Sequence, residues 1–419
     1  MTEWETQEEK VYIVGIKPPE LSNSQMMRRM EEMKFLLKTL DYRFCGQTVC
    51  SIRNSRSKYI VGSGKVEEIT AAARDLEADL IVLDTDLTSS QERNWEEAAE
   101  IPVIDRHRVI IEIFASRAST KEASLQIQLA RLEYALPRLK KAWTHLSRQQ
   151  GGARGTRGEG EQQLEMDRRI ISERIGKLKK ELSHIRKSRE IKRKRRDRIP
   201  VPSGAIVGYT NAGKSSLLNT ITEAGVFTEN KLFATLDPTT RSAVLPSGTS
   251  MVFTDTVGFI RDLPHDLFEA FKSTLEETVY ADFLILLLDI SDPEVEQHRE
   301  TTLSVLRELQ ADDKPIITVY NKVDRLKNME LPPGIKQGIP ISAKTGHNID
   351  TLLLEIDKLA AEEKNSICCE IPADRYDIAA LIHRTGNVEE ESYENNIIRI
   401  KARVPERTRN IISRYAAGS

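Results

Sequence analysis

Between residues 11 and 105, short apolar runs alternate with segments of helical period, a rhythm that predicts a small α/β domain built on a parallel sheet. The predicted strands are Val11-Tyr12-Ile13-Val14, Thr48 to Ile52, Leu80-Ile81-Val82-Leu83 and Pro102-Val103-Ile104, and the predicted helices are Gln25 to Leu40, Val66 to Leu76 and Gln91 to Ala99. From Leu125 the period changes. Leu125, Leu129, Leu132, Leu136, Leu139, Trp143 and Leu146 keep a four-and-three spacing, and Leu164, Ile171, Ile175, Leu178, Leu182 and Ile185 repeat it after a break. Two such stripes joined by a short link predict an antiparallel coiled-coil hairpin, bent where Pro137 interrupts the first helix. About 26 helical residues rising 1.5 Å each would carry its tip roughly 40 Å. The link, Gly151 to Glu161, is expected to be non-helical because of its glycines, which suit either a flexible linker or a backbone that approaches a surface closely while Arg154 and Arg157 face RNA phosphates or stack on bases.

Beyond residue 200 the pattern is one of continuous apolar runs that each close on a polar motif. Gly204-Ala205-Ile206-Val207 runs into Gly208-Tyr209-Thr210-Asn211-Ala212-Gly213-Lys214-Ser215, which fits G-x-x-x-x-G-K-[ST] at every fixed position. Such a turn, with a helix opening after it, aims backbone N–H groups at phosphates. Lys214 would reach the β- and γ-phosphates and Ser215 would ligate Mg²⁺. Met251-Val252-Phe253-Thr254 delivers Asp255-Thr256-Val257-Gly258, a carboxylate for the Mg²⁺ shell and a glycine for close approach to the γ-phosphate. Phe283 to Leu288 reads as a strand covered on both faces. Pro315 to Tyr320 leads into Asn321-Lys322-Val323-Asp324, and Ile339-Pro340-Ile341 into Ser342-Ala343-Lys344. Guanine offers two donors, N1–H and the 2-amino group, that one carboxylate can accept together, so Asp324 is expected to read the base. The Ser342 to Lys344 loop suits a backbone N–H aimed at the guanine oxygen.

Four motifs in that order make residues from about 200 to 362 resemble a Ras-like GTPase domain, with GTP as substrate, GDP as product and Mg²⁺ as cofactor. The segment that senses the γ-phosphate then falls at Phe233-Ala234-Thr235-Leu236-Asp237-Pro238-Thr239-Thr240-Arg241, where Thr235, Thr239 and Thr240 each could complete the metal shell. The residue after Gly258 is Phe259, where Ras-like enzymes usually place a glutamine to orient the attacking water. Intrinsic hydrolysis is therefore expected to be slow, with the missing group coming from a partner.

Charge is balanced overall, at 62 Lys plus Arg against 64 Asp plus Glu, but segregated along the chain. Arg186 to Arg198 is strongly basic and includes Lys192-Arg193-Lys194-Arg195-Arg196, a run suited to RNA, to a solvated helix face or to a linker. The cysteines at 45, 50, 368 and 369 lack metal-ligand spacing and read as reduced thiols. An acidic N-terminus without an apolar stretch behind it is no signal peptide, and a cytoplasmic protein is expected. Val61-Gly62-Ser63-Gly64-Lys65 imitates a phosphate loop but has Tyr59 where the first glycine belongs, so it reads as a tight turn into a helix, with an anion site as the alternative.

Over its whole length the chain resembles the HflX family of ribosome-associated GTPases. The resemblance rests on Val61 to Lys65, Ser90-Gln91-Glu92-Arg93-Asn94, Val103 to Thr120, Leu136-Pro137-Arg138-Leu139, Asp167-Arg168-Arg169, Gly208 to Ser215, Phe233 to Arg241 and Asp255 to Phe259. It implies that Thr235 is the switch threonine, acting with Lys214 in catalysis and with Ser215 at the metal. It also implies binding to the large ribosomal subunit, with the hairpin entering the RNA near the peptidyl-transferase region, and a task in splitting, rescue or assembly. No DNA partner or transmembrane segment is expected, and the free protein is expected to be a monomer. The family usually reads Gly-Pro-Gly-Glu-Thr-Gln where this chain has Gly158-Glu159-Gly160-Glu161-Gln162-Gln163, a looser backbone with a carboxylate opposing RNA. The expected layout is an N-terminal α/β domain over 1–120, the hairpin over 121–198, the GTPase domain over 199–365 and a small C-terminal α+β unit over 366–419 with Ile397 to Ala402 as a strand. The competing reading is a guanine-nucleotide switch that docks a protein partner through its coiled coil. An RNA-modification partner finds no nucleophile or methyl-donor site in the sequence.

Overall fold

The computed structural model describes residues 9–52, 57–149, 156–196, 201–222, 239–262, 264, 275, 278–327, 337–362, 364–394 and 396–416. They form two compact units, one drawn mainly from residues up to 183 and the other from 184 onward. The first unit opens with β1 (Lys10–Lys17), α1 (Asn23–Thr39), β2 (Arg43–Ser51), α2 (Ser63–Asp75), β3 (Leu80–Leu83), α3 (Ser89–Ala99), β4 (Val103–Asp105) and α4 (Arg106–Arg117). Its sheet has the order β2-β1-β3-β4 and every pair is parallel, as the alternating pattern predicts. Strand β2 begins five residues before Thr48, because Arg43 and Phe44 pair with Lys10 and Val11 ahead of a register shift. Pairing across the sheet decides that boundary, and the mixed local pattern of Arg43 to Gln47 does not show it. Helix starts are written locally: Ser22 with Gln25, and Thr88 with Gln91, form reciprocal capping boxes. Gly62 caps α2, so Val61 to Lys65 is a turn into a helix, and Lys65 pairs with Glu68 at 2.5 Å.

The two long helices are α5 (Lys121–Gln149) and α6 (Thr156–Arg196). Leu178 and Leu182 of the second stripe are buried, and Lys179 of α6 pairs with Glu133 of α5 at 2.8 Å. Helix α6 begins at Thr156, so Gly158 and Gly160 are helical, contrary to the expectation for the link. The physical reason is cooperativity: each glycine costs about 1 kcal/mol, which a helix of 41 residues absorbs once propagating. Gly151 to Gly155, with Arg154, lie outside the described residues, as does the side chain of Arg157. Lys192 to Arg196 continue α6 as helix.

Leu125 and Leu129, the first members of the α5 stripe, are buried with Ala123, Ile127, Ala130 and Tyr134, and α5 packs on α3 and α4. A polar hub fixes this junction. Asp105, fully buried, accepts from the backbone of Leu87 (3.1 Å) and Arg108 (2.8 Å), from Tyr134 Oη (2.9 Å) and from Arg138 (3.0 Å). Arg138 also bonds Glu92 at 2.5 Å and the Leu87 carbonyl at 3.0 Å, with its guanidinium 3.4 Å from the centre of the Tyr134 ring.

The second unit contains β5 (Ser203–Val207), α7 (Lys214–Thr222), β6 (Thr239–Val244), β7 (Ser250–Asp255), β8 (Phe283–Asp289), α8 (Val295–Glu308), β9 (Ile316–Asn321), β10 (Ile339–Pro340) and α9 (Ile349–Glu362). The sheet order is β10-β9-β8-β5-β7-β6; β6 alone is antiparallel, pairing with β7 at the edge. Strand β8, the most apolar run, lies inside the sheet between β9 and β5 and is buried from Phe283 to Leu288. Because the parallel strands β5, β7, β8 and β9 share one direction, the motifs that follow them meet at one edge. The C-terminal part adds β11 (Lys364–Pro372), α10 (Tyr376–Thr385), β12 (Asn387–Glu394), β13 (Ile397–Pro405) and α11 (Glu406–Ile412) around an antiparallel sheet ordered β11-β13-β12. Alternation along β13 puts Ile398, Ile400, Ala402 and Val404 in its core and Arg399 and Arg403 outside. All four cysteines are free thiols, and no helix among the described residues is long and apolar enough to cross a membrane.

Candidate functional site

At the carboxyl end of β5 the chain turns sharply from Gly208 into α7. A Cβ at Gly208, whose φ is +156°, would stand 2.2 Å from the Leu287 carbonyl of β8; one at Gly213, with φ +96°, would stand 2.3 Å from Asn321 Nδ2. Any side chain there would push the loop off the sheet. Asn211 takes a left-handed turn at φ +60°, and Ala212 folds back with its N–H on the Tyr209 carbonyl. Lys214 is 7 % exposed, and its Nζ donates to the carbonyls of Gly208 (3.2 Å) and Tyr209 (2.9 Å). An ammonium has three protons, so a third is left for an anion over the loop. Burial pushes its pKa down to about 8 against the attraction of Asp255, with Lys322 adding repulsion.

The Ser215 hydroxyl donates to Asp255 Oδ2 at 2.6 Å, and Asp255 is 1 % exposed. Two hard oxygen donors are thereby face to face beside the loop, an arrangement that fits Mg²⁺ completed by phosphate oxygens. Thr256 donates to the Ile206 carbonyl at 2.7 Å, which ties this motif to β5. Val257 is buried, and Gly258 lies against Thr210 and Lys214. Phe259 is buried as well, with backbone bonds to both sides of Tyr209: its N–H donates to Gly208 O (3.1 Å) and its carbonyl accepts from Thr210 N (2.8 Å).

The third and fourth motifs are cross-linked to the first. Asn321 donates through Nδ2 to the Ala212 carbonyl (2.8 Å) and accepts through Oδ1 from Ala343 N (2.9 Å), so one buried amide joins three motifs. Of the backbone donors in the Ser342 to Lys344 loop, the Ala343 N–H is thus engaged within the protein. Lys322, left-handed at φ +67°, donates to the Asn211 carbonyl (2.7 Å) and pairs with Asp289 (2.7 Å). Val323 is buried. Asp324 Oδ1 accepts from the Ser342 hydroxyl at 2.6 Å, which orients the carboxylate. Its acceptor pair is what the two donors of a guanine edge require.

Phe233, Ala234, Thr235, Leu236 and Asp237 lie outside the described residues. Thr239 and Thr240, the other candidates for the metal threonine, stand at the start of β6, where the Thr240 hydroxyl is 3.1 Å from that of Thr254. Several site-building residues were not singled out by sequence motifs. Asp289 holds Lys322, Thr220 holds the Ala343 carbonyl at 2.8 Å, and His298 stacks on Tyr209 with ring centres 3.8 Å apart. Only Asp289, the polar residue that closes the β8 run, carried a local signal.

Residues 27–115 match the family described as GTP-binding GTPase N-terminal, 117–196 the GTP-binding GTPase middle region and 203–322 the 50S ribosome-binding GTPase family. The chain is 42 % identical over 414 residues to a GTPase HflX of Akkermansia muciniphila, covering 95 % of this chain and 94 % of the relative. It is 38 % identical to the GTPase HflX of Escherichia coli K12, with 90 % of each covered. A GTP-binding protein of Sulfolobus solfataricus, solved with GDP, aligns over 84 % of this chain and 99 % of its own at 26 % identity and a TM-score of 0.44.

Proposed function

The chain belongs to the HflX family of GTPases and hydrolyses GTP, and we propose that it does so on the large ribosomal subunit, in ribosome splitting, rescue or assembly. The observation that carries the reading is the joining, in one chain, of the nucleotide-site unit to a two-helix arm with Arg154 between its helices, Arg157 in the first turn of α6 and Lys192 to Arg196 at the other end of α6. A distribution of this kind suits RNA phosphate, and the 50S ribosome-binding description of the family matched by residues 203–322 supports it. In this reading the domains are 1–120, 121–198, 199–365 and 366–419, and the protein works in the cytoplasm as a monomer when free.

The proposed nucleotide contacts follow from the geometry. Gly208 to Gly213 would wrap the phosphates with backbone N–H groups, Lys214 would direct its third proton at the β- and γ-phosphates, and Asp324 would accept from guanine N1–H and the 2-amino group. Ser215, with Asp255 beside it and Thr235 from the switch, would hold Mg²⁺, which supplies charge neutralisation between the β- and γ-phosphates. Phe259 cannot hydrogen-bond a water, so intrinsic turnover is slow and the ribosome supplies or positions the group that orients it.

A second reading has its own observation. Met166 and Ile170 stand four apart on α6 and are each 57 % exposed, anchors that would suit a protein partner on the arm. Sedimentation with purified ribosomal subunits in GDP and in a non-hydrolysable GTP analogue separates the two. Binding to large subunits that strengthens with the analogue and weakens steeply with salt is expected; absence of subunit binding in both nucleotides leaves the protein-partner reading.

A further inference from the structure

We propose that Tyr209 is a positioning residue for GTP hydrolysis, a latch that holds the chain after Gly258 against the phosphate loop and keeps intrinsic turnover low. The inference concerns turnover without ribosomes, so it stands or falls apart from the proposed partner.

The second position of a phosphate loop needs no side-chain chemistry, since the loop binds through its backbone. Here it carries a large ring, and both ends of that ring are used. Its face stacks on His298 of α8, 3.8 Å between centres and 11° from parallel, and its hydroxyl accepts the backbone N–H of Arg261 at 2.9 Å. The Arg261 guanidinium stands 3.6 Å from Glu294, where α8 begins, and both side chains are close to buried. His298 also faces Asp292 at 3.8 Å, and its backbone donates to the Glu294 carbonyl. The two backbone bonds between Phe259 and the loop complete a clasp spanning residues 259 to 261.

The consequence follows from what the clasp presents. It places a buried phenyl ring where a water-orienting group would stand, and residues 259 to 261 cannot rearrange to bring another group forward while all three backbone bonds persist. The Arg261 bond to Tyr209 is the one that depends on a side chain. Losing a hydrogen bond of ordinary net strength shifts a two-state equilibrium about fivefold. Weakening the latch should therefore raise the fraction of time the segment is free, and with it kcat, while leaving the backbone groups that set KM in place.

The test uses the full chain without ribosomes. For Tyr209→Phe, which keeps the stack and removes the acceptor, kcat for GTP is expected to rise about fivefold with KM changed less than twofold. Hydrogen exchange of a peptide covering residues 257–262 should accelerate by a similar factor. His298→Ala, which removes the platform, should move both in the same direction, and His298→Phe, which restores a ring, should return them toward wild type. Unchanged or lower kcat in Tyr209→Phe, unchanged exchange over 257–262, or a change confined to KM or to GDP binding would each overturn the latch.

Discussion

Lys214 is an ammonium group enclosed by carbonyls, and its environment makes a pH dependence that exposed lysines lack. Burial lowers its pKa to about 8 in the protein without nucleotide, whereas two phosphates laid against it would raise that value again. Binding above pH 8 must then take up a proton, so affinity falls as pH rises through the lowered pKa and is level below it. GDP affinity measured by a fluorescent analogue is expected to drop roughly tenfold between pH 7 and pH 9. A flat profile would show that the ammonium keeps its proton without phosphate. The same residue-scale logic explains why motif chemistry was legible before the fold was known. Gly208, Gly213, Lys214 and Asp324 are specified by the shape and charge of a nucleotide, a constraint that writes itself into single positions. Asn321 is also a motif residue, yet its work as a brace between Ala212 and Ala343 appears only when strands β5 and β9 are placed together.

Among elements, α5 shows how one hydrophobic stripe can serve two neighbours. Its four-and-three spacing predicts a hairpin helix, and Lys179 to Glu133 joins it to α6, but α5 also packs on α3 and α4, with Leu125, Leu129 and Tyr134 buried and Tyr134 bonded to Asp105. Periodicity reports which face is buried and is silent about what buries it. The segments Ser90 to Asn94, Val103 to Thr120 and Leu136 to Leu139 supply Glu92, Asp105 and Arg138 to a single hub, so the root of the arm is held by one buried charge and two partly buried ones. Burial pushes the Glu92 carboxyl up, and Arg138 counters it. Arg138→Met would leave both carboxylates without their guanidinium, and breaking a buried pair from one side costs about 3 kcal/mol. Hydrogen exchange in α5 over residues 130–138 of the full chain is expected to accelerate at least a hundredfold. Exchange within tenfold of wild type would mean that Asp105 is satisfied by Leu87, Arg108 and Tyr134 alone.

For the whole molecule the question is whether the arm and the nucleotide site act on one target. Arg154 and Arg157 belong to a segment separate from every nucleotide motif, so reversing their charge addresses RNA engagement directly. Arg154→Glu with Arg157→Glu is expected to weaken large-subunit binding by at least ~2 kcal/mol and to flatten its salt dependence, because phosphate contacts and counterion release are lost together. The measurement is GTP turnover titrated with large subunits at two salt concentrations. Full stimulation of the double variant at wild-type subunit concentrations would make the tip a linker and favour a partner that reads Met166 and Ile170 instead.

What the sequence determined by itself is whatever depends on short-range pattern: the parallel strands of the first domain, the four guanine-nucleotide motifs and their order. Each is settled by residues within one turn or one strand of each other, where sterics and local hydrogen bonds decide. The tertiary structure decided what depends on distant segments meeting. It extended β2 to Arg43, added the antiparallel edge strand β6, carried helix through Gly158 and Gly160, gathered Glu92, Asp105 and Arg138 into one hub, and set Tyr209 between His298 and Arg261. Those outcomes turn on pairing, packing and helix propagation across tens to more than eighty residues of chain, and no local window contains the groups that compete for them.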